Sequence, residues 1–504
     1  MSSWQKLKSG SDVRGVAVGE HPALTPHIAK CLGMAFARFT ASSVGKPVSQ
    51  VTIAIGRDSR VTGPTLADAA AEGISRAGAS VLHFGLCTTP AMYMSIITPG
   101  FAPDGAIMIT ASHLPPERNG LKFFLEEGGL EEKDVVELLD TASELEPDDF
   151  PISGKIAEKP FLPVYMDQLA DRIRKGLDTD MEKPLLGLHV LVDAGNGAGG
   201  FYAELMERLG AWIEGSQFLE PDGNFPNHMP NPENPEAMKS VSEAVLRAGA
   251  DLGVIFDADC DRAAIVDCDG REINRNRLIA LISAMLLDEE PGVTIVTDSV
   301  TSSGLRKFIG DWGGEHYRYK RGYRNVIDEA RRLNAEGINC PLAIETSGHA
   351  ALRENHFLDD GMYLVTVLIV KAMKLKQQGK TLGSLIADLQ EPKESAEIRL
   401  QITEEDFRTA GQKAIALVME YANAAEKWHI ASDNREGVRI SFDLGDGLDN
   451  GWFLLRLSVH DPVLPLNVES DIEGGVQSML SALYEVLKDA QGIDLAPLKK
   501  AAQG

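Results

Sequence analysis

The stretch DGAIMITASHLPPERNGLKFF, residues 104–124, decides how its part of the chain folds, because an apolar run meets two prolines within it. Pro115 and Pro116 have no amide hydrogen and push the preceding residue toward extended backbone, so a helix cannot continue through them. The run DGAIMI therefore predicts a buried strand that ends in a rigid, exposed loop. Ser112 and His113 begin that loop, which can present the serine hydroxyl to a ligand.

Three further runs share one plan of strand, small-residue turn and helix. They are VTIAIGRDSR (51–60), HVLVDAGNGAGG (189–200) and TIVTDSVTSSG (294–304). Alternation of β-branched runs with helical patterns is typical of α/β layers with largely parallel strands. The repetition predicts three related α/β domains.

The pattern changes after about residue 392, where a charged helix, the short strands VRISFDL and GWFLLRLSV and an amphipathic helix follow one another. This order predicts a smaller α+β domain at the C-terminal end. Polar, proline-bearing segments such as ELEPDDFPISG (144–154) and QEPKES (390–395) are candidate linkers. The domain boundaries that we expect are 1–154, 155–272, 273–391 and 392–504.

Composition limits the partners of the chain. The net charge of −25 over 504 residues argues against nucleic acid or an anionic membrane, because both would be repelled. No window approaches the roughly 18 apolar residues of a membrane span, and the first residues lack the apolar segment of a secretory signal. The five cysteines are odd in number and form no CxxC pair. We therefore expect a soluble protein with reduced thiols, in the cytoplasm or, if a transit peptide is missing from this chain, in an organelle interior.

A candidate metal site lies in DADCDR, where Asp257, Asp259 and Asp261 alternate after an apolar strand. In extended backbone the three carboxylates project to the same side, where they repel one another unless a cation lies between them. Carboxylate oxygens without histidine or cysteine favour Mg²⁺. Arg262 follows and can hold a phosphate oxygen. The alternative interpretation is an acidic turn exposed to solvent.

Two further stretches suit a sugar phosphate. ETSGH places Glu345, Ser347 and His349 on a glycine-containing turn, which offers acceptors and donors to sugar hydroxyls, although such a turn is often only a helix cap. YRYKRGYRNVID (317–328) gathers four cations around Gly322, either as an anion site or as a solvated basic face.

A phosphate site is predicted in the last strand region. RLSVHDP places Arg456, Ser458 and His460 at alternate positions. In a strand all three donors share one side, which suits a terminal phosphate.

These motifs, in this order, resemble those of the α-D-phosphohexomutase family over nearly the whole chain. The matching segments are GSDVRG, GRDSRVTGPTLA, TASHLPPERNGLKFF, PDGNFPNHMPNPENPE, DADCDR, ETSGH and RLSVHDP. The resemblance implies three related α/β domains with mixed sheets and a smaller C-terminal α+β domain around a central cleft. It also implies an Mg²⁺-dependent enzyme that interconverts hexose 1-phosphate and hexose 6-phosphate through a phosphoserine and a bisphosphate, with glucose favoured over mannose.

The resemblance assigns a role to each matching residue. Those implied in catalysis are Ser112, which carries the phosphoryl group, with His113, Lys122, Arg14 and Arg262. Those implied in substrate binding are Gly322, Tyr323, Arg324, Glu345, Ser347, His349, Arg456, Ser458 and His460. Those implied in Mg²⁺ binding are Ser112, Asp257, Asp259 and Asp261, and glucose 1,6-bisphosphate is the implied activator. Lys122 would need a lowered pKa to act as a base.

The phosphate loop departs from the family pattern. Val459, His460 and Asp461 stand where the family has glycine, threonine and glutamate. Valine disfavours positive φ, and histidine donates two hydrogen bonds only when it is protonated. A weakened grip in one orientation would release the bisphosphate, so net synthesis of hexose 1,6-bisphosphate is one alternative. Phosphoglucosamine mutase activity is another, and a catalytically idle sugar-phosphate-binding protein is a third.

Overall fold

Helices and strands alternate along most of the chain in the computed structural model, which describes residues 3–445, 450–458 and 461–503. The α-helices are α1 (Pro26–Ser43), α2 (Gly63–Ala77), α3 (Thr89–Ile97), α4 (Glu132–Ser143), α5 (Leu162–Gly176), α6 (Phe201–Arg208), α7 (Pro235–Ala248), α8 (Arg275–Glu289), α9 (Ser303–Asp311), α10 (Tyr323–Ala335), α11 (Gly361–Lys376), α12 (Phe407–Ala424), α13 (Gly475–Leu487) and α14 (Ala496–Gln503). Short 3₁₀ helices lie at Ser3–Leu7, Val48–Gln50, Pro147–Asp149, Arg353–Asn355 and Leu382–Ile386.

The strands are short, as is usual between helices. They are β1 (Lys8–Ser9), β2 (Asp12–Val16), β3 (Thr52–Arg57), β4 (Ser80–Leu86), β5 (Gly105–Ile109), β6 (Arg118–Leu125), β7 (Gly128–Gly129), β8 (Ile156–Glu158), β9 (Val190–Asp193), β10 (Leu252–Phe256), β11 (Ala263–Asp267), β12 (Glu272–Ile273), β13 (Thr294–Thr297), β14 (Glu315–Arg318), β15 (Leu342–Ile344), β16 (Ala350–Leu352), β17 (Leu358–Asp359), β18 (Glu394–Gln401), β19 (Trp428–Ile430), β20 (Val438–Phe442), β21 (Gly451–Leu455) and β22 (Val463–Ser470).

The chain divides into two units. The first contains Met1–Asn274 and Ser347–Ser384, and the second contains Arg275–Thr346 and Leu385–Gly504. This division does not test the four expected domain boundaries, which remain predictions.

The first sheet of the first unit has the strand order β1-β2-β6-β5-β3-β4-β8, with β7 beside β6. Strands β5, β3, β4 and β8 run parallel, whereas β6 pairs antiparallel with both β5 and β2, so the sheet is mixed. The apolar run before Ser112 forms β5, and every residue of this strand is buried, as predicted. The expected exposure of Ser112 is wrong, because only 3% of the residue is accessible.

Helices α1 and α2 cover one face of this sheet and approach each other closely. A Cβ atom added at Gly73 would lie 1.9 Å from the backbone oxygen of Lys30, and one added at Gly33 would lie 2.2 Å from that of Ala70. Only glycine allows this backbone contact. The tight helix pair closes the core under the loop that carries Ser112.

The second sheet of the first unit has the order β12-β11-β10-β9, with β9 and β10 parallel and the other pairs antiparallel. Phe256 pairs with Ala263, so residues 257–262 form the turn between β10 and β11. Cys260 has a φ of 65° in this turn. The extended conformation expected for DADCDR is therefore wrong, and the turn itself brings the carboxylates together.

In the second unit, β14, β13 and β15 are parallel neighbours. Strand β13 leads through a turn into α9, β3 leads into α2, and β9 leads into α6, which confirms the predicted plan of the three related runs. The C-terminal sheet has the order β18-β22-β21-β20-β19 and is antiparallel throughout.

The C-terminal sheet has two apolar faces. Val438, Ile440 and Phe442 of β20 join the core under α12, α13 and α14. Alternation places Arg439 and Ser441 on the opposite side of β20. On β21, Trp452 and Leu454 pack with Val300 instead of joining the helical core. The second face of this sheet thus packs against the segment that follows β13.

Within the described residues, no helix has the length and apolar character needed to cross a membrane.

Candidate active site

Ser112 lies in a strained, tightly bonded turn after β5. Its φ of 53° is left-handed, which is uncommon for a residue with a side chain. The Ser112 amide donates to Thr110 Oγ1 at 2.9 Å, and this hydroxyl donates to Asp58 Oδ2 at 2.7 Å. Strain of this kind persists only where surrounding contacts enforce it.

Arg60 supplies most of those contacts. Its Nη2 donates to the carbonyl oxygens of Ser112 and Leu114, both at 2.6 Å, and its Nη1 to those of Pro115 and Arg118, both at 2.8 Å. The side chain is fully buried, and its Nε lies 3.3 Å from Asp58. One guanidinium thus holds four carbonyl groups of the Ser112 loop. We call this arrangement the Arg60 clamp.

The hydroxyl of Ser112 faces the turn that contains the aspartates. Ser112 Oγ donates to Asp257 Oδ2 at 2.7 Å and accepts from Arg262 Nη2 at 3.1 Å. His113 Nδ1 lies 3.2 Å from the same oxygen. Burial, together with the charges of Arg262 and Arg14, lowers the pKa of His113 to about 2, so its imidazole is neutral near pH 7.

Asp257, Asp259 and Asp261 are buried and lie close together. Each offers an oxygen within 4.8 Å of one from each of the others. Burial and the two neighbouring carboxylates raise the pKa of Asp257 well above its usual range. Asp259 Oδ1 and Asp261 Oδ1 are buried without a hydrogen-bond partner among the described residues. Buried carboxylate oxygens without partners are costly, and a hard divalent cation would satisfy them.

Lys122 approaches this cluster from β6. Its Nζ donates to Asp259 Oδ2 at 2.8 Å and to Asp261 Oδ2 at 2.5 Å. Burial favours the neutral amine, but the two carboxylates prevail and raise the pKa of Lys122 well above its usual range. The lowered pKa that a base would require is therefore not found, and Lys122 is an ammonium that holds its proton tightly.

Two further arginines border the cluster. Arg14 Nη2 donates to Asp12 at 2.7 Å, and Asp12 fixes its direction. Arg262 is buried and donates from Nε and Nη2 to Asp257 at 3.1 and 3.0 Å, while its Nη1 lies 3.6 Å from Glu233. Both guanidinium groups are thus oriented by carboxylates before any ligand arrives.

His349 belongs to the first unit and is paired with Asp359, Nδ1 to Oδ2 at 2.5 Å. Burial opposes its charge, but Asp359 and Asp261 raise the pKa of His349 to about 9. Ser347 lies in the same unit and is buried, with 6% of its surface accessible.

Glu345 belongs to the second unit and is nearly buried. Its Oε1 accepts from the Gly322 amide at 2.6 Å, so the ETSGH segment and the basic segment meet at this carboxylate. Tyr323 and Arg324 begin helix α10, and Arg324 Nε donates to Asp328 at 3.3 Å. The YRYKRGYRNVID segment therefore begins at the end of β14 and passes through a short loop into α10.

The predicted phosphate residues lie outside the strand that was expected to hold them. Strand β21 ends at Leu455, so Arg456 and Ser458 lie in the loop toward β22, where the Ser458 amide donates to Val463 at 2.9 Å. Their predicted alternation along a strand is wrong. Val459 and His460 lie outside the described residues.

Arg456 is nevertheless prepared for an anion. Its Nη1 lies 3.9 Å from Glu436, and its Nε is buried without a hydrogen-bond partner among the residues described. Burial lowers the pKa of Arg456. A bound phosphate oxygen would satisfy the Nε donor.

The sequence matches three family descriptions in succession: phosphoglucomutase/phosphomannomutase α/β/α domain I over residues 5–146, domain II over 163–270 and domain III over 274–392. The phosphoglucomutase of Neisseria gonorrhoeae is 30% identical over 482 residues, 95% of each chain. The phosphoglucomutase/phosphomannomutase of Thermococcus kodakarensis is 31% identical over 490 residues, 96% of this chain and 99% of the other.

The chain belongs to the phosphoglucomutase/phosphomannomutase family. A crystal structure of a phosphoglucomutase/phosphomannomutase family protein from Burkholderia thailandensis agrees with this assignment. It superposes with a TM-score of 0.79 at 27% identity and covers 97% of this chain and 98% of its own. Three α/β domains with mixed sheets and a fourth, sheet-containing C-terminal domain are thus confirmed.

In this phosphoglucomutase/phosphomannomutase family member, the first unit brings together the sequence-predicted Ser112, His113, Lys122 and Arg262 around the aspartate cluster. Several partners were missed by sequence reasoning: Asp12, Asp58, Arg60, Glu233 and Asp359. Asp12, Asp58, Arg60 and Glu233 stood in the quoted segments GSDVRG, GRDSRVTGPTLA and PDGNFPNHMPNPENPE, which were the available signal. Asp359 lies ten positions after His349 in PLAIETSGHAALRENHFLDDGMY (341–363), the stretch that contains ETSGH.

Proposed function

We propose that this protein is a phosphohexomutase that interconverts hexose 1-phosphate and hexose 6-phosphate, with glucose favoured and mannose next, through a phosphoserine at Ser112 and a bound bisphosphate. The observation that carries the proposal is the placement of Ser112 Oγ, 2.7 Å from Asp257 and 3.1 Å from Arg262 in a buried loop. The relatives named phosphoglucomutase and phosphomannomutase/phosphoglucomutase support it.

In the forward transfer, a sugar hydroxyl attacks the phosphoryl group on Ser112. The bond from phosphorus to the sugar oxygen forms, and the bond to Ser112 Oγ breaks. Arg262 and Arg14 would stabilise negative charge on the group in transit, since both are already oriented by carboxylates. The second transfer, after the bisphosphate has turned round, is the reverse at the other sugar oxygen.

Proton movement falls to groups with opposite charge states. His113 Nδ1 lies 3.2 Å from Ser112 Oγ and Lys122 lies beside the aspartate cluster, so both stay candidates for proton transfer. A pKa of about 2 makes the neutral imidazole of His113 a weak base. His349, with a pKa of about 9, is cationic near pH 7 and suits a donor to a departing oxygen. Lys122 holds its proton tightly and supplies positive charge beside the cluster.

Asp257, Asp259 and Asp261, with an oxygen of the phosphorylated Ser112, would hold Mg²⁺. The fit rests on the two partnerless oxygens of Asp259 and Asp261. Bound Mg²⁺ would supply positive charge that offsets the charge of the transferring phosphoryl group.

The remaining substrate contacts are assigned from the family resemblance. Glu345 and Ser347 would bind sugar hydroxyls, with Gly322, Tyr323 and Arg324 in the loop that recognises the sugar. Arg456 and Ser458 would hold the phosphate that is not reacting, supported by the unpartnered Nε of Arg456. His460, which completes this set, lies outside the described residues.

The proposal includes activation by glucose 1,6-bisphosphate, which would phosphorylate Ser112, and the domain boundaries at 154, 272 and 391. A cytoplasmic or organellar location is supported by five cysteines that are all free thiols. Net bisphosphate synthesis and phosphoglucosamine mutase activity are not favoured, because the relatives named above are phosphoglucomutases and phosphomannomutases.

The test follows glucose 1-phosphate by phosphorus NMR with Mg²⁺ and a trace of glucose 1,6-bisphosphate, and repeats the assay with mannose 1-phosphate. Wild type and Ser143→Ala, which removes a half-buried hydroxyl of the same unit, should form hexose 6-phosphate, whereas Ser112→Ala should form none. Turnover by Ser112→Ala would refute a phosphoserine intermediate at Ser112. Accumulation of bisphosphate in step with donor consumption would replace the mutase with a synthase.

A further inference from the structure

A separate cavity of about 850 Å³ lies within the second unit, along helix α9 and opposite the segment that follows β19. Ser303, Arg306 and Lys307 contribute from the helix, and Ser432 and Asp433 contribute from the facing segment. Of its lining residues, only Arg318 belongs to a stretch in which the sequence indicates a candidate ligand site, the basic segment YRYKRGYRNVID. Its volume is within the range of about 300–1,000 Å³ that is usual for small-molecule sites.

The cavity wall carries three guanidinium groups, of which two pair with one carboxylate. Arg318 Nη1 donates to Asp433 Oδ2 at 2.6 Å, and Arg306 Nη1 donates to the same oxygen at 3.3 Å. Arg439 has no carboxylate within ion-pair distance among the described residues. It donates to the backbone oxygens of Ser299 and Thr301 at 2.9 and 3.1 Å. Among the described residues, Asp433 is therefore the one carboxylate that forms ion pairs with any of the three arginines.

Arg439 is held in place by more than these two bonds. Its guanidinium lies 3.5 Å from the centre of the Trp452 ring, and only 4% of the residue is accessible. Burial and the charges of neighbouring arginines lower the pKa of both Arg318 and Arg439. Burial is the main cause of both shifts, and the carboxylates of Asp433 and Glu469 oppose them.

The wall has two further carboxylates, Asp311 and Asp471. Lys307 pairs with Asp311 at 2.5 Å, so this pair is neutral. The three guanidinium groups thus exceed the remaining carboxylates of the wall, Asp433 and Asp471, by one. Buried cations without counter-charges are costly, and an anion in the cavity would lower that cost.

Uncharged donors complete the wall. The hydroxyls of Ser303, Ser432 and Ser441 and the imidazole of His429 line the cavity, and none of them has a hydrogen-bond partner among the residues described. A phosphate group has several acceptor oxygens, which suit guanidinium and hydroxyl donors together.

We propose that this cavity binds a small phosphorylated molecule, whose phosphate contacts Arg306 and Arg439 and whose remaining part occupies the groove along α9. The site is distinct from the Ser112 site and does not depend on the proposed mutase activity. It would be a second phosphate-binding site in the same chain.

Crystals of the full chain soaked in tungstate, an anion that mimics phosphate and gives an anomalous signal, locate such sites directly. The proposal expects a peak within hydrogen-bond distance of Arg306 or Arg439. Peaks that occur elsewhere and never in the α9 cavity would overturn it.

Calorimetric titrations in solution compare wild type with Arg306→Gln and Arg332→Gln. Arg306 and Arg332 are about equally exposed, at 51% and 47%, and lie on the neighbouring helices α9 and α10. Inorganic phosphate, glucose 6-phosphate and AMP serve as separate probes, and wild type and Arg332→Gln should bind at least one of them with equal affinity. Arg306→Gln should bind that probe at least fivefold more weakly at the α9 cavity, with unchanged turnover.

The preferred probe identifies the source of the phosphate as free phosphate, sugar phosphate or nucleotide. Binding of none of the three probes to wild type would overturn the proposal. Equal binding by Arg306→Gln and Arg332→Gln would do the same.

Discussion

Replacing Arg60 by lysine tests whether the Arg60 clamp sets the geometry of Ser112. Lysine keeps the charge beside Asp58 but has a single nitrogen, whereas the clamp uses two nitrogens to bind four carbonyl oxygens. We expect at least two carbonyl groups to lose their donor. An unsatisfied buried acceptor costs about 1–3 kcal/mol, so the loop loses about 2–6 kcal/mol of stabilisation.

The expected consequence is a slower chemical step with little change in substrate binding. If only the lower value of about 2 kcal/mol is lost in the transition state, kcat falls about 30-fold, since about 1.4 kcal/mol corresponds to a factor of ten. The KM for glucose 1-phosphate should change less than about threefold, because no proposed substrate contact is removed. A coupled assay for glucose 6-phosphate measures both, and thermal unfolding shows whether the variant is folded.

Arg118→Lys is the matched control, because Arg118 lies in the same loop with an exposed side chain and joins the clamp only through its backbone oxygen. It should retain the kcat of wild type. A folded Arg60→Lys variant with kcat within threefold of wild type would refute the inference that the Arg60 clamp sets the catalytic geometry of Ser112.

Three other perturbations test the fold, a buried acid and the metal site. Gly73→Ala should lower the free energy of unfolding by about 2–3 kcal/mol, because its Cβ would meet a backbone oxygen of α1 at 1.9 Å. The control Gly310→Ala has no atom within 4 Å of its Cβ and should slightly stabilise the protein. Urea denaturation measures the free energy of unfolding of both variants. Burial raises the pKa of Glu469 to about 7, so the folded state retains this proton longer than the unfolded chain and stability falls as the pH rises from about 4.5 to 7. Glu469→Gln should thus be about 1–3 kcal/mol more stable than wild type at pH 8 and no more stable than wild type near pH 4.5. If the variant and wild type had the same free energy of unfolding at both pH values, this prediction would be wrong. Mg²⁺ should raise the unfolding temperature of wild type and of the exposed control Asp269→Asn, but not that of Asp259→Asn. If Mg²⁺ raised the unfolding temperature of Asp259→Asn as much as that of wild type, Asp259 would be excluded as a ligand.

Local structure around Ser112 was readable from the sequence because it depends on neighbours in the chain. An apolar run before two prolines leaves a buried strand and a loop as the main option, and this is what β5 and the following turn show. The strand-turn-helix plan of the three related runs was predictable for the same reason. Exposure was not, since the burial of Ser112 is produced by residues far away in sequence.

The assembly of the site was available only through resemblance to a family. Ser112 and Asp257 are 145 positions apart and 2.7 Å apart in space, a relation that no spacing rule provides. The pKa of Lys122 illustrates the same limit. Burial alone would have lowered it, but two carboxylates from another sheet raise it. The turn at Cys260 and the end of β21 at Leu455 likewise depend on local geometry that strand alternation does not capture.

The left-handed backbone at Ser112 also restricts which amino acids this position can accept over evolutionary time. Threonine would keep a hydroxyl, but a β-branched side chain at a φ of 53° is a conformational outlier that costs on the order of 1–3 kcal/mol. Glycine or asparagine would suit the backbone and lose the hydroxyl. Of the two residues with an aliphatic hydroxyl, only serine tolerates the backbone of this turn. Substitution at position 112 would therefore remove the hydroxyl group or destabilise the loop.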